Sequence, residues 1–183
     1  KNYNIHNVIY TKEPDGTELG KKIKKLLMVD DSVRNISKET ELLLMLAARN
    51  EHYNNIIKPF LEKKYIVICD RFIDSTFAYQ CGNNQYLNVL YTKLNKLIIN
   101  NFLPDLTLLM DINANAAIER IRKRKLNNKY DHLSKEFFTK TRKAYLTISN
   151  KNKRFRVIDA SKDKDIIHQE VLGIIFDKMN VKI

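Results

Sequence analysis

Short unbroken apolar runs alternate along the chain with longer stretches in which apolar residues recur at intervals of three and four. The run "NVIYT" (residues 7–11) is followed by Pro14 and Gly16, which predicts a strand leading into a loop. From Glu18, Leu19, Ile23, Leu26 and Leu27 follow helical spacing. Ser37, with Thr40 and Glu41 behind it, predicts the capped start of a second, long helix that carries the run from Leu42 to Ala48, then Ile56 and Ile57, as far as Pro59. "YIVIC" (residues 65–69) is continuously apolar and rich in β-branched residues, the pattern of a strand covered on both faces. Helical spacing returns over 73–79 and 87–102, and Pro104 leads into a third strand, "LTLLMD" (106–111). Asn113 opens a helix to about Arg124, and the polar link "KLNNKYD" separates it from a helix over 133–149. "FRVID" (155–159) predicts the last strand and residues 165–179 the last helix.

Strands separated by helical stretches imply an α/β chain: a parallel sheet covered by helices on both faces, in one domain spanning 1–183 and without internal repeats. Ligands in such sheets lie beyond the carboxyl ends of the strands. Lys12–Glu13, Asp70–Arg71 and Asp111 all fall at those ends.

Composition narrows the classes. With 44% apolar residues, 4 Gly and 3 Pro, the chain does not read as disordered or collagenous. Its longest apolar runs are too short to cross a bilayer, and the opening "KNYNIHNVIY" lacks the apolar core of a secretory signal. Cys69 and Cys81 make no framework, so free thiols in a reducing, cytoplasmic setting are expected. The 33 basic against 21 acidic residues leave a net charge of +12, which suits nucleic acid or small phosphorylated substrates. The lysines scatter over the whole chain and show no nucleic-acid recognition module, so charge does not choose between these partners.

Asp70 and Arg71 are the sharpest pair. A carboxylate directly after a buried strand must emerge into the cleft, where it either holds a hard cation such as Mg²⁺ or forms an ion pair. Arg71 offers a planar fork suited to phosphate oxygens. Glu13 lies in a Pro- and Gly-shaped loop that adjacent parallel strands would bring near Asp70. Arg49 closes "ELLLMLAAR", either favoured by a helix end or, if buried, in need of a partner. Arg120, Arg122 and Arg124 alternate, so at most two share a helical face; they form either a solvated basic helix end or a mobile lid over 120–131. His6, His52, His132 and His168 show no metal-ligand spacing.

These residues resemble the thymidylate kinase family. "TKEPDGT" is similar to its Glu-Pro loop, "ELLLMLAARNEH" to its thymine-binding helix and "VICDRFIDSTFAYQ" to its Asp-Arg segment. "PDLTLLMDINANAAIERIRKR", "EFFTKTRKAYL" and "RFRVIDAS" are similar to its later segments, in the same order, so the resemblance spans nearly the whole chain. It implies a P-loop nucleoside monophosphate kinase fold, transfer of the γ-phosphoryl group of ATP to dTMP with Mg²⁺, and a two-fold homodimer, with no stable nucleic-acid partner and no membrane. By position, Asp70 resembles the acid that organises the metal, Glu13 the carboxylate supporting it, and Arg71 an acceptor-phosphate ligand. Arg49 resembles the base-contacting arginine, while Ser75, Thr76, Tyr79 and Gln80 resemble the thymine and sugar pocket. Arg120, Arg122 and Arg124 look like lid groups that act on the transferring phosphates, Arg120 and Arg124 also binding ATP, and Ala160 looks like the loop against adenine.

The departures are specific. Lys24 stands where an arginine grips the acceptor phosphate, Met45 where an aromatic stacks on thymine, and Asp15 and Cys81 replace glycines. Asn128 and Lys129 replace an Asp-Arg pair after the lid. No GxxxxGK[ST] occurs in the 183 residues, so the first strand and phosphate loop that the resemblance implies are expected to lie ahead of Lys1, and residues 1–183 alone to be inactive. Two other readings stay open: a different nucleotide or deoxynucleoside kinase of the same architecture, and a basic, inactive relative that binds nucleotides or nucleic acid.

Overall fold

The computed structural model describes residues 7–28, 36–82, 84–123 and 134–179. Its elements run β1 (Val8–Lys12), α1 (Glu18–Met28), α2 (Lys38–His52), α3 (Lys58–Glu62), β2 (Ile66–Asp70), α4 (Ile73–Thr76), α5 (Gln85–Ile99), β3 (Thr107–Asp111), α6 (Ala114–Arg122), α7 (Lys135–Ser149), β4 (Phe155–Asp159) and α8 (Lys164–Lys178). The chain divides into two compact units, the described residues up to Phe102 forming one and those from Leu103 the other.

In the first unit β1 and β2 pair in parallel, Val8 opposite Ile66 through Lys12 opposite Asp70. A crossover of α1, α2 and α3 joins them, as a parallel pair requires. The Ser37 side chain accepts from the Thr40 amide, the cap the sequence predicts, while that of Asn84 accepts from the Leu87 amide and starts α5 two residues before the predicted 87. Leu42, Leu46, Ile57, Phe72, Ile73, Leu87, Tyr91 and Ile99 form the main core, with Val67 and Cys69 of β2 packed on it. A smaller cluster of Ile23, Leu27 and Ala48 joins α1 to α2, with Met45 against it.

Two features depart from the pattern. The unbroken apolar run of β2 predicts cover on both faces, yet Ile66 and Ile68 are 38% and 48% exposed. Val67 and Cys69 point to the core, and on the opposite face these alternate residues keep part of their surface open. The helical path also does not stop at Pro59. A π-helical turn over Tyr53–Ile57 lets the Lys58 amide bond to the Tyr53 carbonyl, five residues back, and α3 follows with Pro59 in its first turn. Ile57 and Lys58 keep helical dihedrals, so Pro59 removes one amide donor from a continuous helical path directly after the widened turn. A second π-helical turn, Phe77–Cys81, extends α4 and ends on Gly82, whose φ of 50° favours glycine.

In the second unit β3 and β4 pair in parallel, Thr107 opposite Phe155 through Asp111 opposite Asp159. Helix α7 packs on α6 and both strands, and α8 on β4. Asn113 caps α6 through the Ala116 amide and Ser134 caps α7 through the Phe137 amide. Ile158 and Phe155 supply the buried positions of β4.

Candidate active site

The loop after β1 is built around Glu13. Its amide donates to the Asp70 carbonyl at 3.0 Å, which extends the β1–β2 ladder one step and ties Glu13 to the end of β2. Gly20 has to be glycine, because a Cβ there would lie 1.9 Å from the Pro14 carbonyl oxygen. A Cβ on Gly16 would meet the His52 ring at 2.5 Å and the Lys12 carbonyl oxygen at 2.6 Å. The two glycines therefore let the loop lie directly on α1 and α2.

Helix α2 directs Arg49 and His52, one turn apart and hence on one face, at that loop. Arg49 is 2% exposed and His52 fully buried. Nε and Nη2 of Arg49 donate to Glu13 Oε2 at 3.1 and 2.8 Å, and Nη2 donates again to the Thr76 hydroxyl at 2.8 Å. The other Glu13 oxygen, Oε1, accepts from His52 Nδ1 at 3.2 Å, while the Thr11 hydroxyl meets His52 Nε2 at 2.7 Å. A carboxylate can only accept, so Nδ1 carries a proton, and in the neutral imidazole the Thr11 hydroxyl donates to Nε2. Burial opposes the Arg49 charge, but the Glu13 carboxylate outweighs it and holds the guanidinium pKa above its ordinary value. Arg49 Nη1 is buried with no partner among the described residues. Three of the five guanidinium N–H groups are thus satisfied within the protein and two are not.

The neighbouring predicted residues fall on the same unit. The Arg49 guanidinium lies 5.3 Å from the centre of the Phe72 ring, two residues beyond Asp70. Asp70 is exposed at the end of β2. Arg71 adopts φ 65° as the chain leaves that strand, its carbonyl accepts from the Cys69 thiol, and its guanidinium stacks 5.0 Å over Tyr79. A bulky residue at positive φ is uncommon and tends to mark functional sites. Gln80 donates to Glu41 Oε1 at 2.9 Å, and the Ser75 amide donates to the Phe72 carbonyl. Lys24 and Asp15 meet directly: Asp15 Oδ2 accepts from Lys24 at 2.8 Å and lies 3.1 Å from the Lys12 ammonium. Partial burial works against the Asp15 charge, yet the two lysines hold its carboxyl below the ordinary value. Both thiols are free and burial raises their pKa, that of Cys81 to about 12. They are poor nucleophiles in this state.

Glu13, Arg49, Thr76, Asp70, Arg71, Tyr79 and Gln80 are thereby connected through hydrogen bonds, ring contacts and chain continuity. Arg120 and Arg122 are exposed on α6 of the second unit, and Arg124 lies outside the described residues, as does most of the expected lid. Ala160 is buried in the second unit, where its amide donates to the Asp111 carbonyl at 2.8 Å. The Asp111 side chain takes a bidentate pair from Arg142 of α7 at 2.7 and 2.8 Å, which sets its carboxyl below the ordinary value.

Sequence reasoning missed His52, Thr11 and Arg142. His52 stands one helical turn from Arg49, a spacing that would have placed it on the same face. No spacing links Arg142 to Asp111, 31 residues earlier. The sequence reading gives Glu13 to a metal, yet both its oxygens are engaged by Arg49 and His52, whereas Asp70 is exposed. Among the described residues no three ligating side chains cluster, and no helix is long and apolar enough to cross a membrane.

The profile of the thymidylate kinase family matches residues 1–171. The chain is 40% identical over 166 residues to the thymidylate kinase of Ruthia magnifica subsp. Calyptogena magnifica, covering 90% of this chain and 80% of that relative. It is 38% identical over 178 residues to the thymidylate kinase of Mycoplasma capricolum subsp. capricolum, covering 95% and 83%. The crystal structure of thymidylate kinase from Ehrlichia chaffeensis superposes with a TM-score of 0.73 at 34% identity, over 94% of this chain and 83% of that one.

Proposed function

From its membership of the thymidylate kinase family, which the family profile and these relatives establish, we propose that the protein transfers the γ-phosphoryl group of ATP to dTMP, giving dTDP and ADP. The observation that carries the substrate assignment is Arg49: a guanidinium fixed on one edge by Glu13 and Thr76, with two buried N–H groups of Nη1 left to donate. A buried donor without an acceptor costs about 1–3 kcal/mol, which a base carbonyl on the ligand would recover. Thymine offers such a carbonyl at its 4-position, whereas cytosine presents an amino group there.

The remaining residues take roles by position. Ser75, Thr76, Tyr79, Gln80 and Met45 shape the thymine and sugar pocket. Arg71 and Lys24 neutralise the acceptor phosphate, the latter in competition with Asp15. Arg120, Arg122 and Arg124 form the lid over 120–131 that meets the donor phosphates, and Ala160 lies against adenine, all within one nucleotide-kinase domain. Asp70, an exposed carboxylate at a strand end, fits Mg²⁺, an ion often held by one or two carboxylates plus substrate phosphates; bound there, it would neutralise phosphate charge. Glu13 does not fit as a direct ligand and serves instead to hold Arg49. The acceptor oxygen is already anionic, so the side chains act by positioning and charge neutralisation rather than as a general base.

A homodimer is supported by a stripe along one face of α5, where Tyr86, Val89 and Leu97 stand exposed. Two free thiols fit a cytoplasmic setting. Light scattering tests the dimer. The function is tested by coupled ADP release from the full-length gene product with dTMP, dUMP, dCMP and dGMP. A clear preference for dTMP is expected, and equal rates across the four would overturn the assignment.

A further inference from the structure

We propose that His52 is a positioning residue for the base-recognition step, acting through Glu13 to set the direction of the free Nη1 group of Arg49. The inference rests on the reading of Arg49 as the residue that meets the pyrimidine.

Both Arg49 bonds to Glu13 end on one oxygen, Oε2. A carboxylate held at one oxygen can still turn about its last torsion, a broad and weakly restrained rotation. The Nδ1–H of His52 on Oε1 removes that freedom, so the carboxylate plane is set by a bond at each end. The imidazole is fixed in turn by the Thr11 hydroxyl on Nε2 and by the backbone of Gly16, which leaves no room for a Cβ beside the ring. Thr11 belongs to β1, so the orientation of the guanidinium traces back, through three side chains, to the parallel ladder.

This arrangement gives both carboxylate oxygens of Glu13 and both His52 ring nitrogens a partner while sparing Nη1. An arginine in a merely structural buried pair would be expected to use its free donors on backbone carbonyls, as buried polar groups nearly always do. Here the donor opposite the Glu13 edge is kept open, and its direction depends on a histidine that need not touch the substrate.

The test uses the full-length gene product and the variants His52→Leu, His52→Asn and Thr11→Val. Asparagine retains an N–H near the position of Nδ1, and valine keeps the shape of threonine. Steady-state KM and kcat are measured for dTMP, ATP and dCMP, with urea midpoints alongside. His52→Leu is expected to raise KM for dTMP about tenfold, the scale of one lost buried hydrogen bond, while KM for ATP stays within about twofold. The preference for dTMP over dCMP should shrink with it, because a misdirected Nη1 no longer rewards the 4-carbonyl. His52→Asn should restore most of the preference, and Thr11→Val should shift it in the same direction as leucine by about twofold to fivefold.

A purely structural role would lower the urea midpoint and leave the dTMP to dCMP ratio alone; that result overturns the proposal. So does failure of asparagine to restore the ratio. Should His52→Leu not fold, Thr11→Val decides, an unchanged ratio counting against the proposal. A wild-type protein with no preference for dTMP, or an Arg49→Lys variant that keeps it in full, would overturn the reading of Arg49 instead, so the two failures are separable.

Discussion

An arginine reaches from a helix to a carboxylate at the carboxyl end of a strand in each of the two units, and the two pairs share their chemistry but not their surroundings. Arg49 and Glu13 have side chains 2% and 6% exposed, whereas Arg142 and Asp111 are 41% and 20% exposed. The exposed pair has the better fork, two parallel bonds to two oxygens. The buried pair crowds both its bonds onto one oxygen, because His52 occupies the other. Water screens Arg142 and shares the work of solvating Asp111, so geometry there has little energetic leverage. Arg49, Glu13 and His52 are buried away from solvent, so each group depends on the others being present. The region with the less regular hydrogen bonds is therefore the one in which each contact matters more.

The strongest way to break this comparison is Arg49→Met. It would leave Glu13 and His52 buried around a missing cation and is expected to cost about 3–5 kcal/mol in urea unfolding. A loss below about 1 kcal/mol would show that water reaches Glu13 and that the two pairs are alike. Next is Gly16→Ala, which places a methyl group 2.5 Å from the His52 ring. About 1–3 kcal/mol of destabilisation is expected from the forced shift, measured in the same way. Arg142→Met should cost only about 0.2–1 kcal/mol, and the cost should fall further in molar salt, to which the Arg49 pair should be nearly indifferent.

The smallest effect is a pH dependence of the exposed pair. Arg142 holds the folded Asp111 carboxyl below its ordinary value of 3.8. Between that lowered value and about 3.9, where the unfolded carboxylate titrates, the unfolded chain binds more protons, so stability rises with pH. The contribution is complete above the unfolded value and is lost as pH falls through the folded one. After allowance for solvent screening it amounts to a few tenths of a kcal/mol, on the order of other exposed pairs. The difference in melting temperature between wild type and Arg142→Met should accordingly be larger at pH 6 than at pH 2.5. An equal difference at the two values would mean that Arg142 stabilises through packing of its stem alone.

The elements were largely legible because their causes are local. Capping by Ser37, the helix start at Asn113 and the four apolar strand runs place helix starts and strands to within a residue or two, whereas the Ser134 cap was not read. The π-helical turns were not legible. Whether a proline stops a helix or is taken up after a widened turn depends on what the helix packs against, and Ile57 inside that turn is held in the main core. Likewise the half-open face of β2 follows from which elements cover it, a matter on which its own residues are silent.

The site divides along the same line. Chain order alone assigned Glu13, Asp70 and Arg71 to strand ends and Arg49 to an apolar helix, since the period of a strand or helix fixes where its last charged residue must emerge. Tertiary structure alone decided who meets whom: that Glu13 spends its oxygens on Arg49 and His52, that Lys24 and Asp15 compensate one another, and that Arg142 holds Asp111. Charges can be recognised from their neighbours in sequence because desolvation pushes them to element ends. Their partners cannot, because pairing depends on distances across the fold that no local pattern encodes.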